Sequence, residues 1–222
     1  MTSWQSLHDG WFLTAVPAPE DSGGAGADIP APVVGARVPA SVPGCVHTDL
    51  LAAGLIPDPY LADNELRLGW IGRTDWCYET TFHRSGLPGD GERVELVCAG
   101  LDTVATVTLN DVELGRTANM HRTHRFDVTS VLRSGANVLR VRFDSVFRYA
   151  EALRDRLGDR PRAYPDPYHM VRKMACNFGW DWGPSLVTAG IWQEIGLRTW
   201  RTARLARVRP LVTVAGREGR VE

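Results

Sequence analysis

The sequence predicts an all-β protein, an antiparallel β-sandwich that carries only short helices. Three observations predict it. Short apolar segments alternate with polar residues at a period of two, and clusters of Gly, Pro, Asp and Asn separate them. One longer stretch, 146–157, has helical spacing, and its many arginines make it a surface helix. No internal repeat divides the 222 residues, a length that suits one large β domain or one domain plus part of another.

Taken in order, WFLTAV at 11–16 reads as a first strand. The Pro/Gly/Ala-rich segment 17–32 reads as a surface loop or insertion, with no function attached. In VPGCVHTDLLAAG, residues 47–53 make a short helix that Gly54 ends. Residues 64–70 lead to WCYETTF, where Trp76, Tyr78, Thr80 and Phe82 share one strand face. SGLPGDGE turns the chain back into RVELVCAG. DTVATVTL, 102–109, is the clearest strand, and NDVELG after it reads as a turn. NVLRVRF sets Leu139, Val141 and Phe143 against Arg140 and Arg142 on the other face. Before it, FDVTSVLRSG offers a one-turn helix capped by Asp127. RPRAYPDPYHM is a Pro-rich loop. Residues 192–200 form a strand in which Trp192, Glu194, Gly196, Arg198 and Trp200 alternate with Gln193, Ile195, Leu197 and Thr199. The tail 201–222 begins another apolar strand and stops among charges, which reads as the opening of a further β domain.

The formal net charge of −1 offers no general pull toward nucleic acid or an anionic membrane. Lys173 is the only lysine, and the arginines are scattered. Cys45, Cys77, Cys98 and Cys176 lie far apart with no CxxC spacing; buried free thiols are expected, with disulfides or zinc ligation as the lesser readings. The start, MTSWQSLHDGWFL, lacks the basic-then-apolar order of a signal peptide, and no run of about 18 apolar residues exists. A cytoplasmic protein without cofactors is expected. Gly-rich phosphate loops and GxSxG are absent.

The segment 170–192, MVRKMACNFGWDWGPSLVTAGIW, carries the chemistry. Trp180 and Trp182 flank Asp181 on a backbone that Gly179, Gly183 and Pro184 keep from being a helix. Indole faces stack on the C–H faces of sugars, and a carboxylate accepts hydrogen bonds from adjacent hydroxyls. From residue types alone, an aromatic core plug with Asp181 capping a turn is the equal rival.

The order of motifs resembles the N-terminal domain of β-mannosidases of glycoside hydrolase family 2. VPGCVHTDLLAAG, PDPYLADNELRLGWIGRTDWCYETTF, the GLDTVATVTLN region and FGWDWGP with TAGIW carry the likeness, which covers roughly residues 39–200. It implies a galactose-binding-like jelly-roll sandwich over 1–200. It also implies that 201–222 begin an immunoglobulin-like domain, with a (β/α)₈ barrel beyond. In that family the barrel carries two glutamates, an acid/base and a nucleophile, about 5–5.5 Å apart for retention. This chain would therefore supply no catalytic residue and no metal ligand. Its partners would be a β-mannoside or manno-oligosaccharide and the downstream domains of the same protein. By motif, Asp181 would bind hydroxyls of the terminal mannosyl unit, and Trp180 or Trp182 would shape the pocket wall.

Other constellations weigh less. Asn64 and Glu65 mimic the dipeptide around a family acid/base glutamate, but they lie in the sandwich part, so a turn role is expected. HRTHR, with His121 and His124, lacks a third metal ligand and reads as a polar turn. His47 and His169 read as structural. Arg172 and Lys173 would either orient Asp181 or face the barrel. Tyr164, Asp166 and Tyr168 would line a sugar groove or cover a sandwich end. An independent carbohydrate-binding module, another family 2 glycosidase of the β-galactosidase or β-glucuronidase type, and a domain whose aromatics only pack are the alternatives to the β-mannosidase reading.

Overall fold

Residues 2–17 and 28–222 are described by the computed structural model, and most of the 17–32 loop lies outside them. The first half forms β1 (Ser3–Ser6), β2 (Trp11–Val16), β3 (Val38–Ala40), α1 (Val46–Ala52), α2 (Trp70–Arg73), β4 (Asp75–Arg84) and β5 (Glu92–Cys98). Then come β6 (Leu101–Asp102), β7 (Val104–Leu109), β8 (Val112–Ala118), β9 (His124–Asp127), β10 (Gly135–Phe143) and α3 (Val146–Leu157). The chain closes with β11 (Gly190–Ile191), β12 (Ile195–Arg201), β13 (Val212–Ala215) and β14 (Glu218–Val221).

Alternation decides which sheet faces are buried. A six-stranded sheet runs β3-β2-β4-β10-β7-β8 and a four-stranded one β1-β12-β5-β9, with every neighbour antiparallel. Along β4, Trp76, Tyr78, Thr80 and Phe82 turn inward as expected, and Leu139, Val141 and Phe143 do so along β10. They meet Val94, Leu96, Cys98 and Leu197 from the smaller sheet in one core, the packing of a face-to-face sandwich. Burial pushes the Cys98 thiol up to about 12, so it stays a neutral apolar group. All four cysteines are free thiols; Cys98 is buried and Cys176 exposed. No helix among the described residues is long and apolar enough to cross a membrane.

α1 matches its expected span within a residue, and Gly54 follows it at φ +68°. α3 matches the expected 146–157, with Ser145 capping it and Val146, Phe147 and Ala150 buried. Three expectations need correction. NDVELG is mostly strand: Asn110 and Asp111 alone make the turn, at φ +50° and +68°, and Val112 already pairs with Leu109 in β8. FDVTSVLRSG forms no helix. Asp127 accepts a bond from the Thr129 amide at 2.9 Å, and Val131 and Leu132 bond back to Val128 as a turn. Trp192 precedes its strand, and its indole N–H donates to the Met120 carbonyl at 3.1 Å.

A second apolar cluster, Val104, Val146, Phe147, Val171, Phe178 and Val187, seats α3 and the 168–187 segment on one end of the sandwich. That cluster fixes where the Trp-rich segment emerges.

Candidate functional site

After a 3₁₀ turn at Ala175–Phe178, Gly179 takes φ +97°, a value an L side chain resists. The chain then folds into a tight hairpin: the Trp180 amide donates to the Gly183 carbonyl and the Gly183 amide to the Trp180 carbonyl, each at 3.2 Å. Asp181 and Trp182 sit at its tip. Trp182 is 84% exposed and Trp180 44%, whereas Trp11 and Trp76 in the core are each 1% exposed. Trp182 therefore does not plug a core in the described chain. The two indoles meet edge to face with centroids 5.7 Å apart.

The Pro-rich loop braces the hairpin from behind its clefts. Tyr164 stacks at a tilt against Trp180, 5.8 Å between centroids, and its hydroxyl donates to Asp181 Oδ1 at 3.1 Å. Desolvation and that bond to a carboxylate both hold the Tyr164 phenol above its ordinary value, so it remains the donor. Tyr168 braces Tyr164 edge-on at 6.4 Å. Tyr164 and Asp181 lie 17 residues apart, and no sequence spacing links either tyrosine to that carboxylate. The wall facing the hairpin comes from the 58–65 region, where Tyr60 is 78% exposed. Glu65 Oε2 accepts the Ser185 amide at 3.0 Å, so this carboxylate anchors the descending limb of the hairpin. Two clefts of about 440 and 410 Å³ flank the tip, and Tyr60, Trp180, Trp182, Gly183 and Pro184 line both. Aromatic walls around a carboxylate with one oxygen open suit a flat ligand rich in hydroxyls.

Arg172 and Lys173, paired in sequence, separate in space. Arg172 is exposed, while the Lys173 side chain is fully buried on Asp102, with Nζ 2.6 and 2.5 Å from the carboxylate oxygens. Lys173 thus neither faces outward nor touches Asp181. Burial lowers its pKa, and Asp102 opposes that pull. His47 lies against the same pair: burial first, then the Lys173 charge, hold it down to about 4, while Asp102 pulls the other way. The HRTHR segment is a turn followed by β9, and His124 Nε2 lies 3.1 Å from the Asn119 carbonyl oxygen. Among the described residues no group of three or more His, Cys, Asp or Glu side chains could hold a metal ion.

A larger cleft, about 620 Å³, lies away from the hairpin beside Arg73, Asp75 and Arg148. Asp75 there already binds Arg142, Arg148 and the Ser145 amide, so the polar lining is spent on itself.

Residues 20–193 match the family model described as glycosyl hydrolase 2 galactose-binding domain-like. The β-mannosidase of Capra hircus is 38% identical over 182 residues, covering 76% of this chain and 20% of the relative. β-Mannosidase B of Aspergillus clavatus is 41% identical over 169 residues, 74% of this chain and 20% of the relative. The chain thus spans about a fifth of the length of these curated relatives. Among solved structures, the β-D-mannosidase from Dictyoglomus thermophilum superposes with a TM-score of 0.80 at 32% identity, over 99% of this chain and 25% of that one. An exo-chitosanase from Amycolatopsis orientalis, 18% identical with a TM-score of 0.64 over 96% of this chain and 22% of its own, shares the fold.

Proposed function

The chain belongs to the glycosyl hydrolase 2 galactose-binding domain-like family, and on that premise we propose that it is the N-terminal, non-catalytic portion of a retaining β-mannosidase. The parent would hydrolyse terminal, non-reducing β-D-mannose residues. This portion would contribute the sandwich and lend the 180–183 hairpin to the rim of the sugar pocket. The observation that carries the reading is the exposed tip itself: Trp182 stands 84% exposed beside a carboxylate already oriented by Tyr164. Tyr60, Trp180 and Trp182 line the same clefts at this tip, and an exposed apolar patch of that kind marks a binding surface.

In this role Asp181 accepts hydrogen bonds from mannosyl hydroxyls, and charge assistance makes those bonds about twice as strong as neutral ones. Trp180 and Trp182 present π faces to the C–H side of the ring. The acid/base and nucleophilic carboxylates belong to a downstream barrel; Glu65 is committed to the Ser185 amide and takes no part. Residues 201–222 would open an immunoglobulin-like domain. That is supported by the hairpin of β13 and β14, whose Val212, Val214 and Val221 stand 63%, 74% and 70% exposed.

The test is hydrolysis of an aryl β-mannoside by the 222-residue chain beside a chain extended through its downstream reading frame. Turnover by the extended chain alone is the expected result. Turnover by the short chain would place both catalytic carboxylates within these residues and overturn the reading. An independent carbohydrate-binding module is the second reading, favoured by the same preformed tip. It requires the isolated chain to bind manno-oligosaccharide measurably without further domains.

A further inference from the structure

Asp102 sits at the junction of β6 and β7, far from the hairpin in sequence, yet it collects both ends of the segment that carries the hairpin. Lys173 Nζ reaches its two oxygens at 2.6 and 2.5 Å, and Thr188 Oγ1 donates to Oδ2 at 2.7 Å. Lys173 also donates to the Thr188 carbonyl at 2.9 Å and meets its hydroxyl at 3.0 Å. The Lys173 and Asp102 side chains are 0% and 3% exposed. Residues 174–187 therefore form a loop whose two feet stand on one buried carboxylate.

The backbone repeats the arrangement one layer out. Met120 donates to the Arg172 carbonyl at 3.0 Å, the Met174 amide points at Met120 Sδ at 3.1 Å, and the Trp192 indole donates to the Met120 carbonyl at 3.1 Å. Beyond the feet, the loop is held by Phe178 and Val187 in the small apolar cluster and by the bonds of Glu65 and Tyr164. Loop closure is where such an anchor acts most. A loop with one foot released samples many more conformations, and its tip loses its fixed direction.

We propose that Asp102 is a positioning residue for the 180–183 hairpin: with Lys173 and Thr188 it staples the loop closed and so sets the direction of Asp181 and the two tryptophans. The staple touches no ligand. Its effect on sugar binding rests on the rim role proposed above, but its effect on the loop does not.

The experiment uses Thr188→Val, which removes one bond to Asp102 and one to Lys173 while leaving the ion pair intact, beside the harsher Asp102→Asn. Amide hydrogen exchange is read in the 222-residue chain, and KM and kcat for an aryl β-mannoside in the extended chain. Thr188→Val is expected to speed exchange in 174–187 by roughly ten- to a hundredfold, with β4 and β10 unchanged, the loss expected of two bonds to charged groups. KM is expected to rise severalfold more than kcat falls. Uniform acceleration across the β-strands, or no acceleration in 174–187, overturns the proposal. Faster loop exchange with unchanged KM supports the staple and overturns the sugar-rim reading instead. If Asp102→Asn does not fold, Thr188→Val alone decides.

Discussion

Replacing Asp181 by Ala separates a ligand contact from a structural turn residue. Asp181 is exposed at the hairpin tip, and Tyr164 is the side chain that binds it, through Oδ1. The backbone bonds that close the hairpin belong to Trp180 and Gly183, so the substitution leaves them in place. An exposed change of this kind shifts stability by about 0.5 kcal/mol or less. With a urea m-value of about 2 kcal/mol/M, the midpoint moves by roughly a quarter molar. The sugar-contact role predicts a very different size of effect on turnover. Oδ2 has no hydrogen-bond partner among the described residues, so at least one charge-assisted bond to a mannosyl hydroxyl is lost. That is about 1.5–3 kcal/mol, or roughly 10- to 150-fold in kcat/KM. Urea unfolding of the 222-residue chain and kcat/KM per folded molecule of the extended chain measure the two quantities. A midpoint lowered by about 1 M or more, with turnover per folded molecule unchanged, would falsify the site assignment.

Two further outcomes follow from the same geometry. Gly190→Ala places a Cβ 2.7 Å from the Gly44 carbonyl oxygen and 2.8 Å from Cys45 Cα, at φ +151°. Backbone atoms cannot swing away, so a loss of about 2–4 kcal/mol is expected in urea unfolding, and a loss under about 1 kcal/mol would show that the two segments can part. His47 supplies a pH dependence. Its folded value of about 4 lies below the 6.5 of the unfolded chain, so between these values the unfolded state binds more protons. Stability is full above about pH 6.5 and falls as pH drops toward 4, by about 3 kcal/mol. Asp49, whose pKa burial raises, works in the opposite sense at the acid end. His47→Gln is expected to flatten the slope from pH 6.5 to 4.5, and an unaltered slope would assign it to other groups.

What the sequence disclosed follows from how local each signal is. β7 and β10 were legible because Val, Thr, Leu and Phe recur at a period of two and one face of each is fully buried. β1 was not: SWQS is exposed throughout, and only its backbone bonds to β12 make it a strand. Asn110 and Asp111 carried a turn signal, but its two-residue length was invisible until Val112 found Leu109. In the Trp-rich segment, residue types pointed equally to a plug and to a contact surface. The exposure of Trp182 depends on the hairpin closed between Trp180 and Gly183 and on the cluster around Phe178, both visible only in the folded chain. Lys173 was conspicuous as the single lysine. Its partner Asp102 lies 71 residues away, and no spacing rule reaches that far.

The pairing of β1 with β12 has a consequence for how the sandwich is wired. Ser3 lies opposite Thr199, so the chain enters and leaves at one shared corner. Anything joined ahead of Ser3 and anything joined after Arg201 departs from neighbouring points and must compete for the same space. On the exit side Arg204 reaches back to Glu95 at 2.5 Å and lies over the Trp200 ring, so the outgoing chain is clasped for its first few residues. A bulky group attached ahead of Ser3 would therefore press on this corner and on the Arg204 clasp beside it.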